Sequence, residues 1–331
     1  MKPRLSTDEY AAGIAAGDRV ILAKAISLAE SSLPDDQEQA SDLIAKLPLS
    51  KKSIRIGITG VPGVGKSTFI EAFGKYITSL NKKLAVLTID PSSQLTKGSI
   101  LGDKTRMEEL SKNPLAFIRP TASGNTLGGT AGRTRESIFL CESAGYDVIL
   151  IETVGVGQSE TSVKNVVDFF LLLMLAGAGD ELQGIKKGIM EMADTVLITK
   201  ADGDNLKRAR EAQADYQHAL NLFSETTSGW KPKVLICSAL TNTGIREVWQ
   251  TIELFRDQLM QNGHLASQRN EQRITAFHEL FELQLKSELT KFPELQKKAE
   301  QLERQVAEQN LSPHKASTEL LNLYREAIKK S

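Results

Sequence analysis

Between Ser53 and Gln258 the chain alternates short apolar runs with segments of helix length; the runs are "SIRIGIT", "KLAVLTID", "LAFIRP", "YDVILIET", "VVDFFLLLML", "DTVLITK" and "KPKVLICSA". Strands that are apolar along their whole length must be covered on both faces, and parallel neighbours need crossover segments long enough for a helix. The pattern predicts an α/β fold, a doubly wound and mostly parallel sheet, whose ligands bind beyond the carboxyl ends of the strands. Before it, Ile21, Leu22, Ala25, Ile26 and Ala29 recur at helical spacing until Pro34, Asp35 and Asp36 break the pattern, so residues 1–50 read as an N-terminal helical arm. After it, Ile274, Phe277, Phe281, Leu285, Leu289 and Phe292 step by three or four, as do Leu320, Tyr324 and Ile328. Residues 261–331 thus read as a C-terminal helical extension that cannot form a core alone, with 51–260 as the central domain.

Composition narrows the function. Lys plus Arg and Asp plus Glu both number 41, so no basic surplus favours a nucleic-acid partner. The apolar run from Phe169, "FFLLLMLAGAG", is about half the roughly 20 residues of a membrane span and reads as a buried strand. Cys141 and Cys237 lie far apart in apolar surroundings and read as reduced core thiols. The first residues show no apolar h-region of a secretory signal, and their acidic residues argue against a transit peptide, so the expected compartment is the cytoplasm.

The stretch "GVPGVGKST", Gly60, Val61, Pro62, Gly63, Val64, Gly65, Lys66, Ser67 and Thr68, fits G-x-x-x-x-G-K-[ST] with a strand before it and a helix after it. Glycines let backbone N–H groups converge on phosphate oxygens, and the helix N-terminus adds favourable partial charge. Lys66 is placed to reach the β- and γ-phosphates and the Ser67 hydroxyl to ligate Mg²⁺.

The base is selected elsewhere. Lys200 and Asp202 follow the run "DTVLIT". A carboxylate there accepts hydrogen bonds from the N1–H and the exocyclic amine of guanine, and adenine offers neither donor. "CSAL" closes the next run, placing Ser238, Ala239 and Leu240 where a backbone contact to the guanine carbonyl is expected. The usual guanine motif begins with Asn; here Thr199 stands in its place, with a hydroxyl able to bridge toward the P-loop. Acids for magnesium and water are expected at strand ends, where Asp90 and Glu152 lie, with Asp103 in the loop "SILGDKTRM". Which of them ligates Mg²⁺ directly stays open.

At these residues the sequence strongly resembles a known family. "TIDPSS", "GSILGDKTRM", "ETVGVGQSE" and "GAGDELQGIKKGIMEMAD" occur in order as in the ArgK/MeaB GTPases, G-protein chaperones of adenosylcobalamin-dependent methylmalonyl-CoA mutase. The resemblance implies a P-loop GTPase of the class that also holds signal-recognition GTPases and nickel-insertion proteins, working as a homodimer with GTP/GDP and Mg²⁺. Its implied partner is methylmalonyl-CoA mutase or a related adenosylcobalamin-dependent acyl-CoA mutase, whose cofactor loading it gates and which it protects from inactivation. It further implies that Lys66 and Ser67 serve phosphate and Mg²⁺, that Asp90, Asp103 and Glu152 are the functional acids, and that Ala176–Gly188 is a mobile switch segment. Intrinsic hydrolysis is expected to be slow, because Gln158 is the nearest match to the water-orienting glutamine of Ras-like proteins and is a poor one.

Two rival functions lack their sequence signatures. An ATP-dependent kinase or transport-coupled ATPase would bring an LSGGQ-type signature or a kinase catalytic loop, and the sequence has neither. A metal-insertion GTPase would need clustered thiolates or imidazoles, whereas His218, His264, His278 and His314 are scattered and far from either cysteine.

Overall fold

The computed structural model describes residues 5–48, 53–90, 107–122, 127–153, 159–177, 187–222, 227–290 and 292–330. The chain divides into two compact units, Met1–Gln272 and Arg273–Ser331.

The first unit opens with α1 (Thr7–Ala15), α2 (Arg19–Ala29) and α3 (Pro34–Lys46). Their starts are set by side chains. Ser6 and Glu9 form a reciprocal capping box on α1, and the Asp18 carboxylate accepts from Val20 N at 2.7 Å and Ile21 N at 3.1 Å, each such cap contributing about 1 kcal/mol. On α2, Leu22, Ala25, Ile26 and Ala29 are buried as the periodicity requires. The Pro34 cluster does more than break this helix. Pro34 is the first residue of α3, where its missing N–H has no helical acceptor to lose.

Seven strands follow among the described residues: β1 (Ile54–Gly60), β2 (Leu84–Asp90), β3 (Ala116–Ala122), β4 (Val148–Thr153), β5 (Phe169–Leu175), β6 (Thr195–Thr199) and β7 (Lys233–Ile236). They form one sheet in the order β3-β2-β4-β1-β5-β6-β7. Every neighbouring pair is parallel. Helices α4 (Lys66–Ser79), α5 (Glu108–Lys112), α6 (Leu127–Ser143), α7 (Ser159–Lys164), α8 (Lys187–Met192), α9 (Asn205–Asn221) and α10 (Ile245–Gln261) lie between and after the strands, and α11 (His264–Thr290) comes next. All seven apolar runs of the sequence became strands, and the doubly wound α/β class is the fold observed. The run from Phe169 is the buried strand β5. Phe255 of α10 packs edge-on against Phe169 at 4.9 Å and against Trp230 at 5.2 Å, closing the core on that side. Cys141 and Cys237 are buried free thiols, and burial pushes the Cys237 thiol up to about 12. No helix among the described residues is long and apolar enough to cross a membrane.

This order places the site. The chain leaves β1 for β2 and β3, returns to β4, then crosses to β5 on the other side of β1. The carboxyl end of the central strand is therefore a topological switch point, where connections diverge and leave a crevice.

At the opposite, amino edge of the sheet the first unit is pinned by buried charges. Asp168, fully buried, accepts from Arg269 Nε at 2.8 Å and from the Arg55 amide at 2.8 Å, while an Arg269 terminal nitrogen reaches Ser53 O at 2.7 Å. Arg55 makes a two-pronged pair with buried Glu142, both bonds 2.9 Å. Arg269→Ala leaves Asp168 charged and buried without its ion-pair partner, and is expected to lower stability by about 3–5 kcal/mol, read as a shift in the urea midpoint.

Glu136 on α6 is mostly withdrawn from water, and burial raises its carboxyl from the ordinary 4.5 to about 7, with Arg133 opposing. The folded chain then holds a proton that the unfolded chain has released, so stability falls as pH rises from 4.5 through about 7. Glu136→Gln is expected to flatten that slope and to stabilise the fold at pH 8 by on the order of 2 kcal/mol, measured by urea unfolding at pH 5 and pH 8.

The second unit holds the end of α11 with α12 (Pro293–Ala307) and α13 (Pro313–Lys330). The last two pack together through buried Leu295, Leu302 and Ala316, with Phe292 edge-on to Tyr324 at 5.9 Å and Lys298 Nζ 2.8 Å from Glu319. The periodic stripe read through to Phe292 stops short of it. Phe292 is extended, at φ −108° and ψ 98°, because Pro293 disfavours a helical residue before it. On α11, Ile274, Phe277 and Phe281 are exposed, the two rings stacked at 6.2 Å.

Candidate nucleotide site

The P-loop leaves β1 at Gly60 and enters α4 at Lys66. Two glycines make the path possible. Gly60 pairs with Leu173 of β5, and a Cβ on it would stand 2.5 Å from the Leu173 carbonyl oxygen. Gly65 caps α4 in the left-handed region, at φ +93°, which a side chain would strain. Val61 and Val64 are buried and anchor the loop, while Pro62, Gly63 and Thr68 face solvent. A Cβ on Gly63 would meet nothing within 4 Å, so the loop is open on that side.

Lys66 folds back over the loop, its ammonium donating to Gly60 O at 2.7 Å. Burial pulls its pKa below the ordinary lysine value, and the charge of Glu152 works against that. The Ser67 hydroxyl points at Glu152, 3.4 Å from Oε1. Glu152 is buried near the end of β4 and lies opposite Ile58 of β1 and Thr88 of β2. Asp90 ends β2 one position beyond Ile89, which pairs with Thr153. Asp103, Gln158 and residues 178–186 of the glycine-rich segment lie outside the described residues.

The other half of the site comes from the ends of β6 and β7, tied to the P-loop by two side chains. The buried Thr199 hydroxyl donates to Val64 O at 2.6 Å. Lys200, itself at φ +56°, donates to Gly63 O at 2.9 Å. Asp202 is held by the Ser238 hydroxyl, which donates to its Oδ2 and in turn accepts from Thr241 N at 3.2 Å. Ser238 N donates to Thr243 O at 2.9 Å, which closes the turn carrying Ala239 and Leu240; Leu240 is 79% exposed.

The sequence reading did not single out Thr59 and Thr153. Both are fully buried, one on each side of the seam between β1 and β4, and Thr153 Oγ1 donates to Thr59 Oγ1 at 2.9 Å. Their signal was position alone, beside Gly60 and Glu152.

The residues present fit a nucleotide and a hard divalent cation. An ammonium held over an open glycine loop at a helix start matches a polyphosphate. The Ser67 hydroxyl beside the Glu152 carboxylate is an all-oxygen donor set of the type Mg²⁺ prefers.

Known proteins agree with this architecture. The family model described as Methylmalonyl Co-A mutase-associated GTPase MeaB matches residues 22–294. A "Probable GTPase" of Mycobacterium tuberculosis is 46% identical over 96% of this chain and 95% of its own length. GTPase ArgK of Escherichia coli is 49% identical over 78% of each chain. The mitochondrial methylmalonic aciduria type A homolog of Mus musculus is 43% identical over 98% of this chain and 81% of its own. Among solved structures, that of an LAO/AO transport system kinase superposes with a TM-score of 0.75 at 36% identity, covering 98% of this chain and 99% of that one. With a P-loop at the switch point of the sheet and a family match across most of its length, the chain belongs to the MeaB family of GTPases.

Proposed function

We propose that this GTPase is a Mg²⁺-dependent G-protein chaperone of methylmalonyl-CoA mutase or a related adenosylcobalamin-dependent acyl-CoA mutase, gating cofactor loading and protecting the mutase from inactivation. The match of residues 22–294 to a mutase-associated family carries this reading. The experiment that tests it is GTP turnover with and without such a mutase.

In this reading the P-loop from Gly60 to Thr68, through those of its backbone N–H groups that face the ligand, and the Lys66 ammonium hold the phosphates of GTP. The Lys66–Gly60 bond supports it, since a phosphate oxygen is a stronger acceptor for that ammonium than a carbonyl is. Ser67, with Glu152, Asp90 and Asp103, would hold Mg²⁺, which when bound neutralises charge between the β- and γ-phosphates. Glu152, placed beside Ser67 and Lys66, would hold the hydroxyl and the ammonium in their places toward the phosphates and the cation. Thr199 and Lys200 fix the base end against the P-loop, Asp202 accepts from guanine N1–H and its amine, and Ser238, Ala239 and Leu240 close over the base. Intrinsic hydrolysis is slow until the partner mutase engages the GTPase.

We further assign 1–50 as the N-terminal arm, 51–260 as the GTPase domain and 261–331 as a dimerisation segment working in the cytoplasm. The exposed Ile274, Phe277 and Phe281 support the dimer, because a second copy would cover them. The kinase name of the superposable structure belongs to that protein. A carboxylate oriented as Asp202 is favours guanine over the adenine that an ATP-dependent kinase needs.

A further inference from the structure

The end of the P-loop strand is fixed differently on its two sides. Toward β5 the backbone ladder continues through Gly60 opposite Leu173. Toward β4 the paired register runs to Ile58 opposite Glu152. One position further along each strand stand Thr59 and Thr153, fully buried, with Thr153 Oγ1 donating to Thr59 Oγ1 at 2.9 Å. The side-chain bond thus extends the link between the two strands by one step, at the point where one becomes the P-loop and the other has just delivered its acid.

A strand gains nothing from these hydroxyls. Valine has nearly the same shape, suits a buried strand at least as well, and brings no polar atom that must be desolvated. What the hydroxyl pair adds is direction, since the bond holds only at one relative placement of the two strand ends. Gly60 receives the Lys66 ammonium at 2.7 Å and Glu152 lies 3.4 Å from the Ser67 hydroxyl, so that placement fixes how the acid faces the P-loop.

We propose that Thr59 and Thr153 are positioning residues for GTP hydrolysis: their hydroxyl pair ties the acid strand to the P-loop strand and holds Glu152 in register with Ser67 and Lys66. The proposal rests on the reading of Glu152 as a functional acid.

The test compares the full chain with the double variant Thr59→Val/Thr153→Val, with the single variants Thr153→Val and Thr153→Ser, and with Glu152→Gln. The readouts are thermal midpoint, GDP affinity, and kcat and KM for GTP. Replacing both hydroxyls by groups of the same shape leaves no orphan, so the double variant is expected to melt like the parent and to bind GDP as tightly. Its kcat should fall by about 10-fold to 100-fold with KM unchanged, the effect of a small misplacement at a reacting centre. Thr153→Ser retains the hydroxyl and is expected to hold kcat where Thr153→Val loses it, a contrast that decides the matter should the double variant not fold. Parental kcat in the double variant, equal kcat in the two single variants, or a kcat loss matched by an equal loss of GDP affinity overturns the proposal. If Glu152→Gln loses hydrolysis while the double variant does not, the tie is wrong and the role of Glu152 stands. Full hydrolysis by Glu152→Gln overturns both.

Discussion

Replacing Lys66 with alanine is expected to lower kcat/KM for GTP by about 10²–10³-fold, the loss that follows removal of one preorganised charge-stabilising donor. The effect should be large because the ammonium is already in place. It lies over the loop, 2.7 Å from the Gly60 carbonyl, partly withdrawn from water and with its pKa lowered by that burial. A charge in such surroundings interacts more strongly with phosphate than one in bulk water, and little reorganisation precedes its use. Both kcat and nucleotide affinity should suffer, since in the proposed reading the same ammonium contacts ground state and transition state. Steady-state turnover and GDP titration read the two effects, and a thermal melt shows that the fold survives. A Lys66→Ala enzyme with parental kcat/KM would remove the P-loop lysine from the mechanism.

Asp202→Asn is expected to exchange the base preference. In the proposed reading the Asp202 carboxylate faces the two N–H donors of guanine, and an amide in its place would leave one donor facing another. A site built around such hydrogen bonds rejects a ligand that leaves them unmatched by about 10⁴-fold. Xanthine carries a carbonyl where guanine carries the amine, so XDP should recover affinity as GDP loses it. The fold is spared because the asparagine oxygen still accepts the Ser238 hydroxyl that now holds Oδ2. Calorimetric titration of the variant with GDP and XDP reads the exchange; unchanged GDP affinity would mean that Asp202 does not contact the base.

The sheet was legible in the sequence because its strands are buried on both faces. Runs such as "VILIET" and "FFLLLML" carry no competing polar period, and their helical spacers leave a parallel sheet as the solution. Thr199 is legible in part: a threonine hydroxyl at that position can bridge to the P-loop, and it donates to Val64 O. The ends of elements were harder. Pro34 breaks one helix and begins another, and Phe292 keeps helical spacing while Pro293 holds it extended. A period carries no information about such boundaries. The Thr59–Thr153 pair was invisible because it joins residues distant in sequence through side chains that any strand could accommodate. The Arg269–Asp168 pair escaped for the same reason. Lone charges in a helical tail and before an apolar run reveal a partnership only once the register is known.

The central claim, that this GTPase serves an adenosylcobalamin-dependent acyl-CoA mutase, is tested most directly by GTP turnover of the full chain in Mg²⁺ with and without purified methylmalonyl-CoA mutase. Slow hydrolysis by the chain alone and a clear rise in kcat when the mutase is added are expected. Fast hydrolysis by the isolated chain, indifferent to the mutase, would contradict it.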